Sequence, residues 1–248
     1  MNTTPLKDFS GLDPDQLLEK SERIISSVCV NWTQDRTFKY KLNKNKEDSI
    51  YVDTFHKALY GEHWGARLSS LGNLSAKEKR KYFDGLMKYL VGSIGDISKS
   101  HTEYEKNYIH ELVDYDIMPA DLPQKSSTMS ASGGYLVQLH YHFQFPLKKR
   151  VFYEMIYICK NEAQGSAYII SLPVDPICFP EKGAIGNVVG RYTSIEKIRF
   201  DENENKLTWI MCTCSSAGGL IPQWLTNFSL NHAIAKDVPS ILSWIDSI

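Results

Sequence analysis

Hydrophobic and polar positions change period along the chain. Between residues 12 and 28, Leu17, Leu18, Ile24, Ile25 and Val28 recur at helical spacing. Asp13 is placed to cap that helix and Pro14 to open its first turn. Two strand-like runs follow, over 37–42 and 50–58, joined by a polar hairpin connection around Asn43-Lys44-Asn45-Lys46. Residues 76–92 and 98–115 predict two helices. Ser75 precedes the first and Glu78 follows three positions later, which is capping-box spacing. Residues 120–134, rich in Ser, Pro and Gly, predict a loop; neither side of it alone reads as a complete fold.

In the second half the period falls to two. Over 135–145, Tyr135, Val137, Leu139, Tyr141, Phe143 and Phe145 share one face, and Gln138, His140, His142 and Gln144 the other. After a turn at 146–150, runs at 151–159, 166–172, 188–200 and 206–214 predict further strands, with a longer connection over 173–187. Consecutive strands on short turns make an antiparallel sheet. Residues 222–248 return to helical spacing: Leu225, Phe228, Ala235, Val238, Leu242 and Ile245 form an apolar stripe that Trp224, Ile234, Ile241 and Trp244 widen. The pattern predicts an α+β fold over 1–248 as a single domain. Its helix and sheet either close on each other as a core or leave room between them.

Composition narrows the function classes. Lys plus Arg number 28 and Asp plus Glu 29, so the chain lacks the basic excess of a general nucleic-acid binder. Aromatic residues are plentiful, with 14 Tyr, 10 Phe and 5 Trp, and suit large apolar surfaces. The opening MNTTPLKDFS has no apolar signal core, and the five cysteines are an odd number. Both features lead to the expectation of a cytoplasmic protein with reduced thiols.

The segment Gly218-Gly219-Leu220-Ile221-Pro222-Gln223-Trp224-Leu225-Thr226-Asn227-Phe228, followed by Ala233-Ile234-Ala235-Lys236-Asp237-Val238, resembles the end of START-type lipid-transfer domains, where a glycine turn and a proline open a long lid helix. Phe145-Pro146-Leu147-Lys148-Lys149-Arg150-Val151-Phe152 resembles the hairpin of that family. Gly190-Arg191-Tyr192-Thr193-Ser194-Ile195-Glu196-Lys197-Ile198 resembles the strand after its long loop. The order and spacing of these segments carry the resemblance, which runs from about residue 98 to the C-terminus and is similar to a fungal START-like branch. One departure is Val151 directly after Arg150, where more familiar members carry an acid; a ligand contact of that acid does not transfer here.

The resemblance implies a helix-grip fold, a curved antiparallel sheet around a long C-terminal helix, enclosing a hydrophobic cavity for one lipid. Such cavities measure on the order of several hundred Å³. A sterol, phospholipid or similar lipid is the implied ligand, with transient contact to a membrane surface, no nucleic acid and no cofactor. The implied lining is Tyr141 and Phe143 on one strand, Tyr153, Met155 and Tyr157 on its hairpin partner, Trp209 and Met211 on the last strand, and Trp224, Leu225 and Phe228 on the helix. For each of these, burial in an ordinary core is at least as common as ligand contact. Lys148, Lys149 and Arg150 lie in a turn that the resemblance places at the cavity rim, as a membrane contact. Gly218, Gly219 and Pro239 are the candidate gate and hinge, Pro239 either kinking the last helix or ending it so that Asp237 caps a second one.

Catalytic and metal motifs are weak. With a turn centred near Lys148, Glu154 falls opposite His142 on the outward face that also carries His140. Two His and a carboxylate there match a zinc donor set, but also ordinary cross-strand surface pairing, and a one-residue change of register removes Glu154. His110-Glu111-Leu112-Val113-Asp114 has Asp where the zinc-protease motif has its second His. Cys212 and Cys214 have no second pair at ligand spacing. No metal site and no catalytic residue are expected. Glu196 and Arg191 are expected to face solvent or pair with neighbours. The alternatives are a START-like enzyme of cyclase or hydrolase type acting on an apolar substrate, and a protein-interaction module with a closed core. A buried carboxylate or His facing the cavity favours the enzyme.

Overall fold

The structure, a computed structural model, describes residues 1–42, 49–123, 128–143, 149–179, 188–216 and 223–248; for 223–229 it describes the backbone alone. The Asn43–Lys46 connection, Phe145, Lys148, Gly218 and Gly219, and the side chains of Trp224, Leu225 and Phe228 therefore lie outside the described residues.

Among the described residues ten strands form one sheet: β1 (Thr33–Lys41), β2 (Ser49–Leu59), β3 (Glu62–Ser70), β4 (Leu112–Pro119), β5 (Ala131–Tyr141), β6 (Arg150–Asn161), β7 (Ser166–Pro173), β8 (Val188–Val189), β9 (Arg191–Asp201) and β10 (Lys206–Ser216). The order is β1-β2-β3-β10-β9-β7-β6-β5-β4, with the short β8 beside β6. All neighbours are antiparallel except β6 and β8.

Helix α1 (Pro14–Asn31) starts as its sequence predicts: the Asp13 side chain accepts from the backbone of Asp15 and Gln16. Its apolar stripe covers one face of the sheet, against Tyr153, Met155, Tyr157, Tyr168, Ile170, Ile195, Ile210 and Cys212. Helix α2 (Ala76–Gly85) carries the full capping box of Ser75 and Glu78 and continues into a π-helical turn over Leu86–Val91. Helix α3 (His101–Glu105) is short, and α4 (Gln223–Ser247) is long. From α4, Ala235, Val238, Ile241, Leu242 and Ile245 pack over the opposite, inner face, together with α2, against Val137, Leu139, Ile156, Ile158, Ile169, Ile198, Phe200 and Trp209. Gly65 lets α4 close on β3: a Cβ there would stand 2.6 Å from Asn231 Oδ1 and 2.9 Å from Leu230 Cδ2.

The sequence pattern needs correction in three places. The helix expected over 98–115 is only α3; from Leu112 the chain is the edge strand β4, its Ile117 opposite Val137. Strand β3 fills a stretch assigned to no element, because Tyr60 and Gly61 both take positive φ, 53° and 80°, and turn β2 straight back on itself. Strand β5 begins at Ala131, inside the expected loop.

Candidate functional site

The inner face is apolar around its margins and acidic at its centre. Arg67 on β3 and Glu196 on β9 both stand beside Met211 of the intervening β10, so the three share a row across the sheet. Arg67 Nη2 donates to Glu196 Oε1 at 2.5 Å, and Trp209 Nε1 donates to the same oxygen at 2.5 Å. The guanidinium lies 4.2 Å from the centre of the Trp209 ring, and its Nη1 donates to Ser69 Oγ at 3.3 Å. A cation stacked on Trp and paired with a carboxylate is well compensated for its burial. Its Nε is nevertheless buried without a partner among the described residues. Asp237 reaches toward this group from α4. Burial raises its carboxyl to about 7; Arg67 opposes the rise, and Glu196, Glu105 and Glu111 add to it.

A second group gathers around Glu105, the last residue of α3. Tyr141 donates its hydroxyl to Glu105 Oε1 at 3.2 Å, and His101 Nε2 lies 3.7 Å from Oε2. Burial still raises the Glu105 carboxyl, against the pull of His101 and Tyr141. Glu154 stands opposite Val137, in phase with Ile156 and Ile158, and is 3% exposed. Burial, and then the charge of Glu105, hold it well above the ordinary carboxylate range. Glu154 in turn acts on the hydroxyls of Tyr141 and Tyr192. The Tyr108 hydroxyl is buried with no hydrogen-bond partner among the described residues, in the field of Glu105, Glu196 and Asp237.

Glu105, Tyr141, Tyr192 and Asp237 are only half-buried, yet loss of solvation is the largest influence on the protonation of each. A groove of about 210 Å³ lies on the far side of the sheet, among Met1, Asn2, Thr4 and Leu6, α1 and Leu172, and touches none of these residues.

Of the residues singled out in the sequence, Tyr141, Trp209 and Met211 lie on the inner face. Phe143 stacks on Tyr141 at 5.5 Å. Tyr153, Met155 and Tyr157 do not join them: they face α1 on the other side of the sheet. The cause is hairpin register. Tyr141 pairs with Arg150 and Leu139 with Phe152, so the inward residues of β6 are Arg150, Phe152, Glu154, Ile156 and Ile158. The same parity separates Glu154 from His140, which pairs with Val151 and contacts Gln138 Nε2 at 2.8 Å on the outer face. It also removes Arg150 from the basic membrane patch. Arg150 is 3% exposed, 6.0 Å from the Phe143 ring, and burial lowers its pKa. Lys149 is exposed. Pro239 lies inside an unbroken α4, and Asp237 caps no second helix. Of the two residues expected to face solvent or pair with neighbours, Arg191 is exposed and Glu196 is buried and paired with Arg67. Among the described residues no group of three or more His, Cys, Asp or Glu is arranged to hold a metal ion.

Glu196, Glu154 and Asp237 were legible in principle. Each falls in phase with apolar neighbours: Ile198, Ile156, and Ile234 with Ile241. Arg67 and Glu105 carried no such signal, because β3 does not alternate and α3 is barely more than one turn.

A sheet gripped by one long C-terminal helix over a partly polar interior is the helix-grip α+β fold of START domains. Solved structures bear this out. Human STARD10 superposes with a TM-score of 0.64 at 11% identity, over 97% of this chain and 82% of that one. Human StAR-related lipid transfer protein 5 gives 0.59 at 10%, over 94% and 95%. A STAR-related lipid transfer protein fragment from Xanthomonas axonopodis gives 0.52 at 13%, over 86% and 99%. A family model described as "Protein of unknown function (DUF3074)" matches residues 64–245, and the chain belongs to that family. No curated protein matches it in sequence. Among the described residues no helix is long and apolar enough to cross a membrane.

Proposed function

We propose that the whole chain acts as one unit that binds a single lipid, or a similar hydrophobic ligand, between the inner face of the sheet and α4, and carries it between membranes. The observation that supports this reading is a pair of polar groups, the Tyr108 hydroxyl and Arg67 Nε, buried in the interior with no partner among the described residues. A closed core would leave them permanently unpaired, at about 1–3 kcal/mol each, whereas a ligand with a polar end gives them partners. Tyr141, Trp209 and Met211 line the apolar part of the site in this proposal, with Trp224, Leu225 and Phe228 from α4, and Phe143 lies near its mouth. Lys149, with Lys148, contributes to membrane docking at about 1 kcal/mol per basic residue near an anionic surface. The START-fold neighbours named as lipid-transfer proteins are consistent with the same reading. The five free cysteines agree with a cytoplasmic location.

Native mass spectrometry of the purified protein, followed by lipid extraction, tests this. One lipid per chain is the expected result; protein that stays ligand-free after incubation with mixed lipid vesicles overturns it.

Glu154 favours a second reading, a START-like enzyme acting on an apolar substrate. A general acid must be protonated and placed beside the substrate, and burial drives Glu154 toward that state. The same mass measurement separates the two, since a carrier returns its ligand chemically unchanged.

A further inference from the structure

Residues 2–7 and helix α4 grip the same strand ends from opposite faces. On the outer face residues 2–7 cross the neighbouring strands β3, β10, β9 and β7. Thr3 donates its backbone N–H to Glu62 Oε2 of β3 at 2.9 Å and its hydroxyl to Oε1 of the same carboxylate. Cys214 of β10 donates its thiol to Glu62 Oε2 at 3.2 Å. Thr193 of β9 donates its hydroxyl to the Asn2 carbonyl at 2.8 Å. Leu6 bridges to Val174, just beyond β7: its N–H donates to the Pro173 carbonyl at 2.8 Å, and its carbonyl accepts from the Asp175 N–H at 2.7 Å. Thr3 is buried between the exposed Asn2 and Thr4. Hydrogen bonds to a carboxylate are stronger than those between neutral groups, so Thr3 and Glu62 are the main fastening.

On the inner face the same strands carry α4. Gly65 of β3 stands against Leu230 and Asn231. Met211 of β10 and Tyr192 of β9 pack with Leu230 and Ile234 as one small apolar cluster. Glu62 and Gly65, Cys214 and Met211, and Thr193 and Tyr192 are pairs no more than three residues apart in sequence. One member of each pair meets residues 2–7 or their acceptor, and the other meets the half of α4 before Pro239. Strand ends open locally at low cost unless something holds them. Helix α1 does not share this dependence, because Leu17, Leu18, Ile24, Ile25 and Val28 bury it on the sheet independently of residues 2–7.

We propose that residues 2–7 are a latch: docked, they hold the strand ends on which the first half of α4 rests; released, they let that half of α4 move and ligand pass. The passage of ligand rests on the lipid-binding reading above, whereas the coupling of the segment to α4 does not.

The test uses the full chain without added ligand. Thr3→Pro removes both donors to Glu62. Thr193→Val removes the donor to Asn2 at nearly constant shape. In each variant, amide hydrogen exchange of α4 between Leu230 and Val238 is expected to quicken at least about fivefold, the equivalent of one lost hydrogen bond. Exchange in α1 and in α4 after Pro239 should keep parental rates. Asn2→Ala retains the carbonyl that Thr193 uses and should match the parent throughout. Parental exchange along α4 in both variants overturns the latch. If Thr3→Pro quickens exchange everywhere, it has lost global stability, and Thr193→Val alone decides. Transfer between phosphatidylcholine vesicles is then followed with pyrene-labelled phosphatidylcholine and with a fluorescent sterol. Whichever probe the parent moves faster should move several-fold faster still with the variants. Quickened α4 with unchanged transfer overturns the role in ligand passage. Quickened α4 in a protein whose parent moves neither probe overturns the transfer reading and leaves the coupling of residues 2–7 to α4 standing.

Discussion

Arg67 and Glu196 form an ion pair across β10 with side chains only 2% and 8% exposed. Removing one member of a buried pair strands the other, which costs about 3–5 kcal/mol, whereas replacing both with apolar residues is often neutral. Arg67→Met is therefore expected to lower the stability by about 3–5 kcal/mol in urea unfolding. Arg67→Met with Glu196→Leu should recover most of that loss. Recovery should stop about 1–3 kcal/mol short, because Trp209 Nε1 then lacks its acceptor. A single Arg67→Met variant as stable as the parent would show that the pair does not anchor this row.

Asp237 makes stability fall as pH rises. Its carboxyl is raised to about 7 in the folded chain from an ordinary 3.8. Between those values the folded state holds a proton that the unfolded state has released, so folding loses its advantage with increasing pH. The contribution is full below about pH 4 and gone above about pH 7. Within the window the slope is at most about 1.4 kcal/mol per pH unit. Glu105 and Glu154 are shifted in the same direction. The measurement is therefore the difference between the protein and Asp237→Asn, followed by unfolding midpoint from pH 4 to 7. That difference should change steadily with pH; a flat difference rules out a raised Asp237.

How much of this was readable beforehand turns on one hairpin. The alternation of β5 put Tyr135, Val137, Leu139 and Tyr141 on one face, and they do line the interior. The alternation of β6 was just as plain, but both of its faces are apolar because α1 covers one and α4 the other. A strand buried on both sides gives no hint of which phase faces inward. The register that decides it depends on the number of residues in the loop, and an odd shift exchanges the faces. The Tyr141–Arg150 pairing thus moved Tyr153, Met155 and Tyr157 outward and brought Glu154 in. Helix α4 was easier, since its stripe has only one covered side, and Asp237 interrupts that stripe visibly. Strand β4 was misread because Val113, Tyr115 and Ile117 alternate within a segment also rich in helix formers, and pairing with β5 settles the matter.

Gly65 sets how closely α4 approaches β3. A methyl group there would lie 2.6 Å from Asn231 Oδ1 and 2.9 Å from Leu230 Cδ2. Gly65→Val pushes the N-terminal half of α4 away from β3 and separates Asn231 from Asp35, which accepts its hydrogen bond. Overpacking of this kind costs about 1–3 kcal/mol. Amide hydrogen exchange along α4 should quicken ahead of residue 239 and stay near parental rates after it. Uniform protection along the helix would show that the contact is absorbed by side-chain rotation.

Pro239 divides α4 into two halves held in different ways. After it, the helix is tied to α2: Tyr82 donates its hydroxyl to Asp246 at 2.8 Å, Lys81 Nζ lies 2.6 Å from the same carboxylate, and Ile245 packs over Gly85. Before it, the described polar ties are the contact of Asn231 with Asp35 on β1 and an exposed pair of Lys236 and Glu111 at 3.6 Å. Exposed pairs of that kind contribute little. Proline has no amide hydrogen to offer the carbonyl four residues earlier, that of Ala235, so the helix is weakest between the two halves. If a lipid enters by lid movement, the half before Pro239 is the one to swing, with the anchored half as its base. Pro239→Ala restores the missing hydrogen bond and is expected to raise stability by up to about 3 kcal/mol. Lipid exchange between vesicles should slow several-fold with the fold unchanged. Asp35→Ala, which frees Asn231, should have the opposite effect on the rate. Exchange that is unaffected by Pro239→Ala would move the gate away from this hinge and onto the connection between β7 and β8.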